Sequence, residues 1–202
     1  MDMQGSRQLA ITQQQAWDAL NDPQILKACI VGCDKVDPTA DNQYAIGMSI
    51  KIGPVGAKFA GKISLSDIVA PASYKINFEG QGGAAGFGKG DAAVTLTPND
   101  KGCELAYTVH ASVGGKIAQL GQRLIDGVAK SMAEDFFKRF DEAMQFRHPE
   151  VYAVQAQADA VHAAQAGEAI TPKGTESQEG IPKWVWVGIV TVIAAAYFAL
   201  RK

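Results

Sequence analysis

Hydrophobic and polar residues alternate with a period of two through the middle of this chain. The segments that show the alternation are 46–52, 59–65, 76–78, 92–96 and 105–109. Such a period places apolar side chains on one face of a β-strand and polar side chains on the other. Gly53-Pro54 and Ala70-Pro71 lie between these segments and are typical turn residues. With a short opening strand that ends near Ile11, the pattern predicts an antiparallel sheet of five or six strands with one apolar face.

Other stretches follow the helical period instead. Thr12 followed by Gln15 is a capping-box pattern that predicts a helix start, and Asp22-Pro23 ends that helix and begins another. After Gly114-Gly115, apolar residues recur every three or four positions: Ile117, Leu120, Leu124, Val128, Met132, Phe136 and Phe140. We therefore predict an α+β fold in which a curved antiparallel sheet is covered by one long C-terminal helix.

The predicted sheet has more apolar surface than a single helix covers. Small residues also interrupt its inward positions, among them Gly61, Gly80, Ala92 and Ala111. This mismatch predicts a hollow between sheet and helix. Because an empty apolar cavity destabilises a fold, such a hollow indicates an apolar ligand. The alternative is a sheet that curls until its own side chains fill the space.

The C-terminal residues have a different character from the rest of the chain. The segment from Trp184 to Leu200 contains no charged residue, and a helix of this length approaches the thickness of a bilayer core. Aromatic and basic residues at its ends match membrane anchors: Trp184, Trp186, Tyr197, Arg201 and Lys202. We predict a transmembrane helix at 182–202; the alternative is a buried core helix.

The remaining parts of the chain are a predicted linker and a predicted N-terminal domain. An Ala/Gln-rich, mildly acidic and flexible linker over 149–181 joins the predicted anchor to a domain at 1–148. Met1 to Leu20 has no apolar export segment. We therefore expect a single-pass protein of the cytoplasmic (inner) membrane with its N-terminal domain in the cytoplasm.

The composition narrows the functional class. Of 202 residues, 47% are hydrophobic and 20% are charged, and the formal net charge is −2. This balance argues against a nucleic-acid-binding protein, which usually has a basic face. The three cysteines, an odd number, do not form a disulfide framework and indicate a reducing compartment.

The glycine-rich stretch GQGGAAGFGKG, at 80–90, matches a phosphate-binding loop only in part. Gly83 to Lys89 has the spacing of that loop, but Gly90 stands where a Ser or Thr should follow. An alternating strand comes next, so no helix N-terminus would face a phosphate. We interpret the stretch as a flexible hairpin loop with Phe87 as its apolar anchor.

No motif in the chain predicts catalytic or metal chemistry. Cys29 and Cys33 lack the spacing of a zinc site. The histidines, His110, His148 and His162, are widely separated, and neither a nucleophile elbow nor a His–carboxylate pair is present. We therefore predict that the protein is not an enzyme and holds no metal.

Two segments resemble one known family, and a third resembles the superfamily that contains it. Val55 to Leu96 and Gly114 to Phe137 resemble the G-subunit family of carbon monoxide dehydrogenase, and Thr12 to Leu26 is similar to the opening of the wider START-like (SRPBCC) superfamily. The resemblance covers about residues 1–147 and the C-terminal anchor. It implies a helix-grip fold with a hydrophobic cavity beneath the long helix.

The resemblance also implies a function. It indicates a non-catalytic accessory protein that recruits a molybdenum-containing carbon monoxide dehydrogenase, or a related hydroxylase, to the cytoplasmic membrane and supports its electron transfer. It implies no covalently bound cofactor. A quinone, ubiquinone or menaquinone, is the favoured hydrophobic ligand, although the strand pattern does not separate a quinone from another lipid. The alternatives are a plain protein–protein adaptor without a ligand and, with less support, a START-like cyclase or hydrolase.

Seven residues are candidates for ligand binding. Six of them are expected to face inward: Phe59, Ile63, Phe78, Tyr107, Leu120 and Leu124. Phe87 is expected at the mouth of the cavity. Tyr107 is the candidate whose hydroxyl could meet a quinone carbonyl.

Overall fold

The sheet is larger than the sequence pattern predicts. In the computed structural model, which describes residues 1–154 and 156–157, seven antiparallel strands form one sheet in the order β1-β7-β6-β5-β4-β3-β2. The strands are β1 (Asp2–Leu9), β2 (Cys33–Ala40), β3 (Gln43–Ile52), β4 (Val55–Val69), β5 (Ser73–Gln81), β6 (Phe87–Asn99) and β7 (Gly102–Gly114). Strands β2 to β7 follow one another as hairpins, and β1 returns to pair with β7.

Strand β2 is the element that the alternation did not reveal. It lies at one edge of the sheet, and Val36 is its one buried residue. Pro38 also lies within it, which fits an edge strand because proline has no N–H to donate. An edge strand with so little buried surface has no need of alternating apolar residues, so periodicity could not find it.

The two early helices begin where the sequence predicts. They are α1 (Gln13–Leu20) and α2 (Pro23–Cys29). The Gln15 N–H donates to the Thr12 hydroxyl at 3.2 Å, and the Thr12 N–H donates to the Gln15 side-chain oxygen at 3.0 Å. The Asp22 carboxylate accepts from the Gln24 N–H at 2.9 Å. The predicted capping box and the predicted start of the second helix at Asp22-Pro23 are both confirmed.

The long helix starts later than its apolar stripe suggested. Ala118–Leu120 forms a short 3₁₀ turn, and Gly121 adopts a φ of +88° that ends it, so α3 runs over Gln122–Arg147. The break resets the helical phase. As a result Ile125 is the buried residue of the first turns, whereas Leu124 is 40% exposed.

The predicted linker and membrane anchor lie largely beyond the residues that the structure describes. None of the helices among those described residues is both long and apolar enough to cross a membrane. The predicted anchor at 182–202, with Trp184, Trp186, Tyr197, Arg201 and Lys202, lies outside them. The predicted linker is described only at its start, where 149–154 is helical and Tyr152 packs against the core.

The interior contains two hydrophobic clusters of different quality. The larger, here called the packed cluster, joins α1, α2 and the C-terminal half of α3 to the sheet. Its most deeply buried side chains are Leu9, Ile11, Cys29, Leu96, Cys103, Phe140 and Met144. The smaller, here called the open cluster, has Ile52, Ala85 and Ile117 at its centre, with only partly buried neighbours. This α+β arrangement of a curved sheet and a long C-terminal helix is consistent with the predicted helix-grip fold.

Candidate functional site: an apolar hollow beneath the long helix

A hollow with two lobes lies on the inward face of the sheet. One lobe, of about 300 Å³, is here called the phenolic lobe because Tyr44, Tyr74 and Tyr107 line it. The other, of about 420 Å³, is called the glycine lobe because Gly61, Gly80 and Gly88 line it. Ile46 and Ile63 belong to the walls of both lobes, so the two spaces adjoin. Volumes of this size are in the range of small-molecule sites.

The glycine lobe exists because a row of side chains is missing. Gly61 on β4 pairs with Gly80 on β5, which in turn pairs with Gly88 on β6. The three residues therefore lie side by side on one face of the sheet, without a Cβ among them. At Gly80 an added Cβ would have its nearest neighbours at 3.9 Å, so there is room above it. The glycine-rich stretch of the sequence thus shapes a bare patch of sheet.

The phenolic lobe reaches from the sheet to α2 and the middle of α3. Its walls are otherwise apolar, and the side chains that carry polar atoms are Asn21, Tyr44, Tyr74 and Tyr107. Ala133 of α3 faces the lobe with only a methyl group. Phe136 and Phe137 follow on the same helix and line the lobe as well. The Phe137 ring lies 5.6 Å from that of Tyr107, between ring centroids.

Tyr74 is the most buried of the phenols, with 5% of its surface exposed. The edge of its ring meets Trp17, with the ring centroids 5.4 Å apart and the planes at 84°. Burial raises the pKa of Tyr74 well above its ordinary value, and the nearby Tyr44 raises it further. The side chain is therefore a neutral hydrogen-bond donor at physiological pH.

The structure brings together four of the predicted ligand-binding residues. Phe59, Ile63 and Phe78 line the glycine lobe. Ile63 and Tyr107 line the phenolic lobe. Tyr107 lies over Gly5 of β1, since a Cβ on that glycine would come 2.6 Å from its hydroxyl oxygen. The phenol of Tyr107 is therefore directed towards the edge strand of the sheet.

The other three candidates lie elsewhere. Leu120 packs in the open cluster without lining either lobe. Leu124 is 40% exposed above Gly53, because the break at Gly121 turns it away from the interior. Phe87 is 42% exposed and lies over Gly114 on the outer face of the sheet, not at the mouth of the hollow. The hairpin that contains it is also shorter than predicted, because β5 ends at Gln81 and β6 already begins at Phe87.

Sequence reasoning missed Tyr44 and Tyr74. Both stand two residues before the apolar residues from which the alternation was counted, Ile46 and Ile76, and so share their face of the sheet. The alternation extended back to both tyrosines therefore places them on the inward face, but it does not indicate that they share one site. Only the pairing of the strands shows that both phenols enter one lobe.

The remaining reactive side chains lie outside the hollow. Burial raises the pKa of both Cys29 and Cys103 to about 11, which keeps these thiols protonated. His110 Nδ1 lies 2.6 Å from Asp2 Oδ1 on the outer face of the sheet, so the structure does contain a His–carboxylate pair, which the pairing of β1 with β7 brings together. Within residues 1–154 and 156–157, no three His, Cys, Asp or Glu side chains are grouped closely enough to hold a metal ion.

A long helix over an antiparallel sheet, with an apolar hollow between them, is the arrangement of START-like binding domains. The family model for the G subunit of carbon monoxide dehydrogenase (CoxG) matches residues 5–145. The chain belongs to this family, as its resemblance predicted.

Solved structures agree on the fold. A conserved protein from Geobacillus kaustophilus is 38% identical to this chain, with a TM-score of 0.68, and the match covers 71% of this chain and 95% of that one. A protein from Thermus thermophilus is 12% identical with a TM-score of 0.54, over 70% of this chain and 95% of its own. The latter likeness concerns the fold alone. A search of curated proteins finds no match to the chain.

Proposed function

We propose that this protein is a non-catalytic accessory protein that recruits a molybdenum-containing carbon monoxide dehydrogenase, or a related hydroxylase, to the cytoplasmic membrane and binds a quinone in its hollow. The observation that carries the ligand part of the proposal is the two-lobed apolar space on the inward face of the sheet, whose phenolic lobe reaches α3. An apolar cavity left empty destabilises a domain. A ligand that fills it offsets that cost.

The shape of the hollow supports a long amphipathic ligand. The phenolic lobe combines hydroxyl groups with apolar walls, and the glycine lobe next to it is a bare apolar surface. A quinone has a flat ring with two carbonyl oxygens and an isoprenoid tail. Its ring matches the first lobe and its tail matches the second.

The polar groups of the hollow support a binding role over a catalytic one. General acid–base chemistry needs a group that titrates near neutral pH in contact with the substrate. The side chains with polar atoms in the phenolic lobe are one amide and three phenols. Of these, Tyr74 has its pKa moved further away from neutrality by burial.

The recruitment part of the proposal rests on family membership and on the sequence of the C-terminal segment. The family model matches the domain, and 182–202 has the composition of a membrane anchor. In this proposal the segment between them is a tether that holds the domain near both the bilayer and the docked enzyme.

The ligand is tested by extraction from the purified full-length protein. We expect a quinone, identified by absorbance and mass, in amounts close to one per chain. Gly80→Leu is the informative variant because its side chain enters the glycine lobe, whereas Gly56→Leu is the control because nothing lies within 4 Å of a Cβ there. Quinone carried over in membrane lipid would be equal in both variants, and that result would refute a bound ligand.

Recruitment is tested by fractionating cells that produce the dehydrogenase with either the full chain or a chain lacking 182–202. We expect the dehydrogenase to sediment with membranes only in the presence of the full chain. If the enzyme stays with the membrane when the segment is absent, the anchor proposal is wrong. If it never sediments, the partner is wrong.

A further inference from the structure

The two lobes of the hollow differ in polarity. Tyr44, Tyr74 and Tyr107 all line the phenolic lobe, and no tyrosine lines the glycine lobe. Lys62 and Glu79 border the glycine lobe, but they stand between inward-facing residues of β4 and β5, so alternation directs their side chains to the outer face. A ligand with one polar end therefore has a preferred direction in this hollow.

Tyr74 is the phenol best placed to bind that polar end. It is 95% buried, lines the phenolic lobe and is held in place by the edge-to-face contact with Trp17. Its side chain is not among the buried polar groups left without a partner in the described part of the chain, of which Tyr152 is the one example, so the Tyr74 hydroxyl opens onto the lobe that it lines. Because this donor faces an otherwise apolar space from a side chain that is almost wholly buried, its position points to an acceptor from outside the chain.

The charge of the lobe restricts what that acceptor is. No Lys, Arg or His side chain lines the phenolic lobe. A carboxylate or phosphate buried there would lose its hydration without gaining a cation in exchange. A neutral carbonyl or hydroxyl oxygen accepts a hydrogen bond from a phenol without this penalty.

From these observations we infer that Tyr74, with Tyr44 beside it, forms a headgroup site that selects neutral, oxygen-bearing apolar ligands such as quinones and rejects fatty-acid anions. The Tyr74 hydroxyl donates its hydrogen bond to a ring oxygen of the ligand, and the tail passes Ile46 and Ile63 into the glycine lobe. The inference rests on the proposed function, and it assigns the contact to Tyr74 in place of Tyr107, the residue expected from the sequence.

Trp17 makes the test direct, because it lies 5.4 Å from Tyr74 and the other tryptophans of the chain are Trp184 and Trp186. In a full-length chain carrying Trp184→Phe and Trp186→Phe, fluorescence reports on Trp17 alone. We expect decylubiquinone to quench this fluorescence. We expect palmitate, at an equal concentration, not to displace the bound decylubiquinone. Displacement by palmitate at similar concentrations would overturn the selection against anions.

The hydroxyl is tested by Tyr74→Phe, which removes one oxygen atom. We expect the affinity for decylubiquinone to fall about three- to tenfold, the effect of one neutral hydrogen bond. Tyr152→Phe is the matched control, because it removes the same single oxygen atom from a buried tyrosine hydroxyl that does not line the hollow. An unchanged affinity in Tyr74→Phe would overturn the inference while leaving quinone binding itself intact. A parent protein that binds no decylubiquinone would instead remove the proposed function.

A second measurement does not depend on how the variant folds. The carbonyl stretching frequency of a quinone falls when its oxygen accepts a hydrogen bond. We expect decylubiquinone bound to the unsubstituted full chain to show a lower frequency than in an alkane solvent. A frequency equal to that in the alkane would contradict the headgroup contact.

Discussion

The packed cluster and the hollow adjoin on the inward face of the sheet and differ mainly in how far side chains fill the space. Four residues belong to the packed cluster and also line the phenolic lobe: Leu20, Tyr74, Val94 and Leu105. Towards the C-terminus of α3, Phe140 and Met144 are fully buried against Leu9 and Ile11. Towards the N-terminus and the middle, the helix offers smaller residues such as Val128 and Ala133, and the sheet opposite offers its row of glycines. One half of the interface therefore stabilises the domain, while the other half leaves room for a ligand.

This division explains how a domain of modest size tolerates a cavity. Close packing makes a core stiff and stable, and its loss is costly. The packed cluster includes α1, α2 and the last turns of α3, and its fully buried side chains hold the C-terminal end of this helix against the sheet.

The largest effect is expected in the packed cluster. Phe140→Ala removes a fully buried ring, and we expect the free energy of unfolding to fall by about 3–5 kcal/mol. Urea denaturation followed by circular dichroism measures this change. Phe146→Ala on the same helix is the control, because Phe146 is 91% exposed and its loss should cost less than about 0.5 kcal/mol. Similar losses in both variants would contradict the division of the interface.

The next effect separates two glycines that face each other across β4 and β5. A Cβ on Gly61 would come 2.7 Å from the Glu79 carbonyl oxygen, whereas on Gly80 it would meet nothing nearer than 3.9 Å. We expect Gly61→Ala to lower the free energy of unfolding by about 1–3 kcal/mol. Gly80→Ala should leave it unchanged or raise it by up to about 1 kcal/mol, since alanine is less costly than glycine in a strand. Equal effects in chemical denaturation would show that the glycine lobe is not open space.

A third change fills the phenolic lobe from the sheet side. Ala92 lines this lobe, while Ala93 is exposed on the other face of β6. We expect Ala92→Leu to weaken quinone binding by a factor of about ten or more, which corresponds to about 1.4 kcal/mol. The free energy of unfolding should stay the same, because the new methyl groups occupy existing space. Ala93→Leu should bind as the parent does, in the same Trp17 fluorescence titration. Retained affinity in Ala92→Leu would place the ligand outside this lobe.

The smallest effect concerns the outer face of the sheet, which takes no part in either region. The hydrogen bond that the Asp2 carboxylate accepts from the His110 ring raises the pKa of His110 above its ordinary 6.5, and nearby Asp91 raises it further. The same bond lowers the pKa of Asp2. The stabilisation from His110 is thus fully present below pH 6.5 and is lost as the pH rises through the raised pKa. The contribution of Asp2 is present above its ordinary 3.8 and is lost as the pH falls through the lowered pKa.

Proton NMR titration of His110 checks this pair. We expect Asp2→Asn to lower the pKa of His110 towards 6.5. Asp67→Asn is the control, since Asp67 pairs with Lys75 instead. If the pKa of His110 is the same in Asp2→Asn as in the parent protein, the two side chains do not interact in solution.

Much of the fold could be predicted because the signals for it are local. The alternation around Ile46 to Ile52 identifies a strand with one buried face, and the Thr12–Gln15 pair identifies a helix start from four consecutive residues. Each feature depends on side chains that are close in sequence, so no knowledge of the rest of the chain is needed.

The candidate site was predictable only in part, for a physical reason. Phe59, Ile63 and Phe78 were found because they continue a clear apolar pattern. Leu124 and Phe87 were misplaced because one φ angle at Gly121 and the length of one hairpin decide which way they face. Neither quantity leaves a periodic trace in the sequence.

The amino-acid order alone therefore specified strands, helix caps, apolar faces and family membership, since these follow from residues next to or near one another. The pairing of strands was needed to align Gly61, Gly80 and Gly88 into one bare row and to bring Tyr44 and Tyr74 into one lobe. Register joins residues that are far apart in the chain, and it is set by the whole sheet and the helix that covers it. That is why the hollow could be anticipated from the small residues, whereas its polar end became visible only in three dimensions.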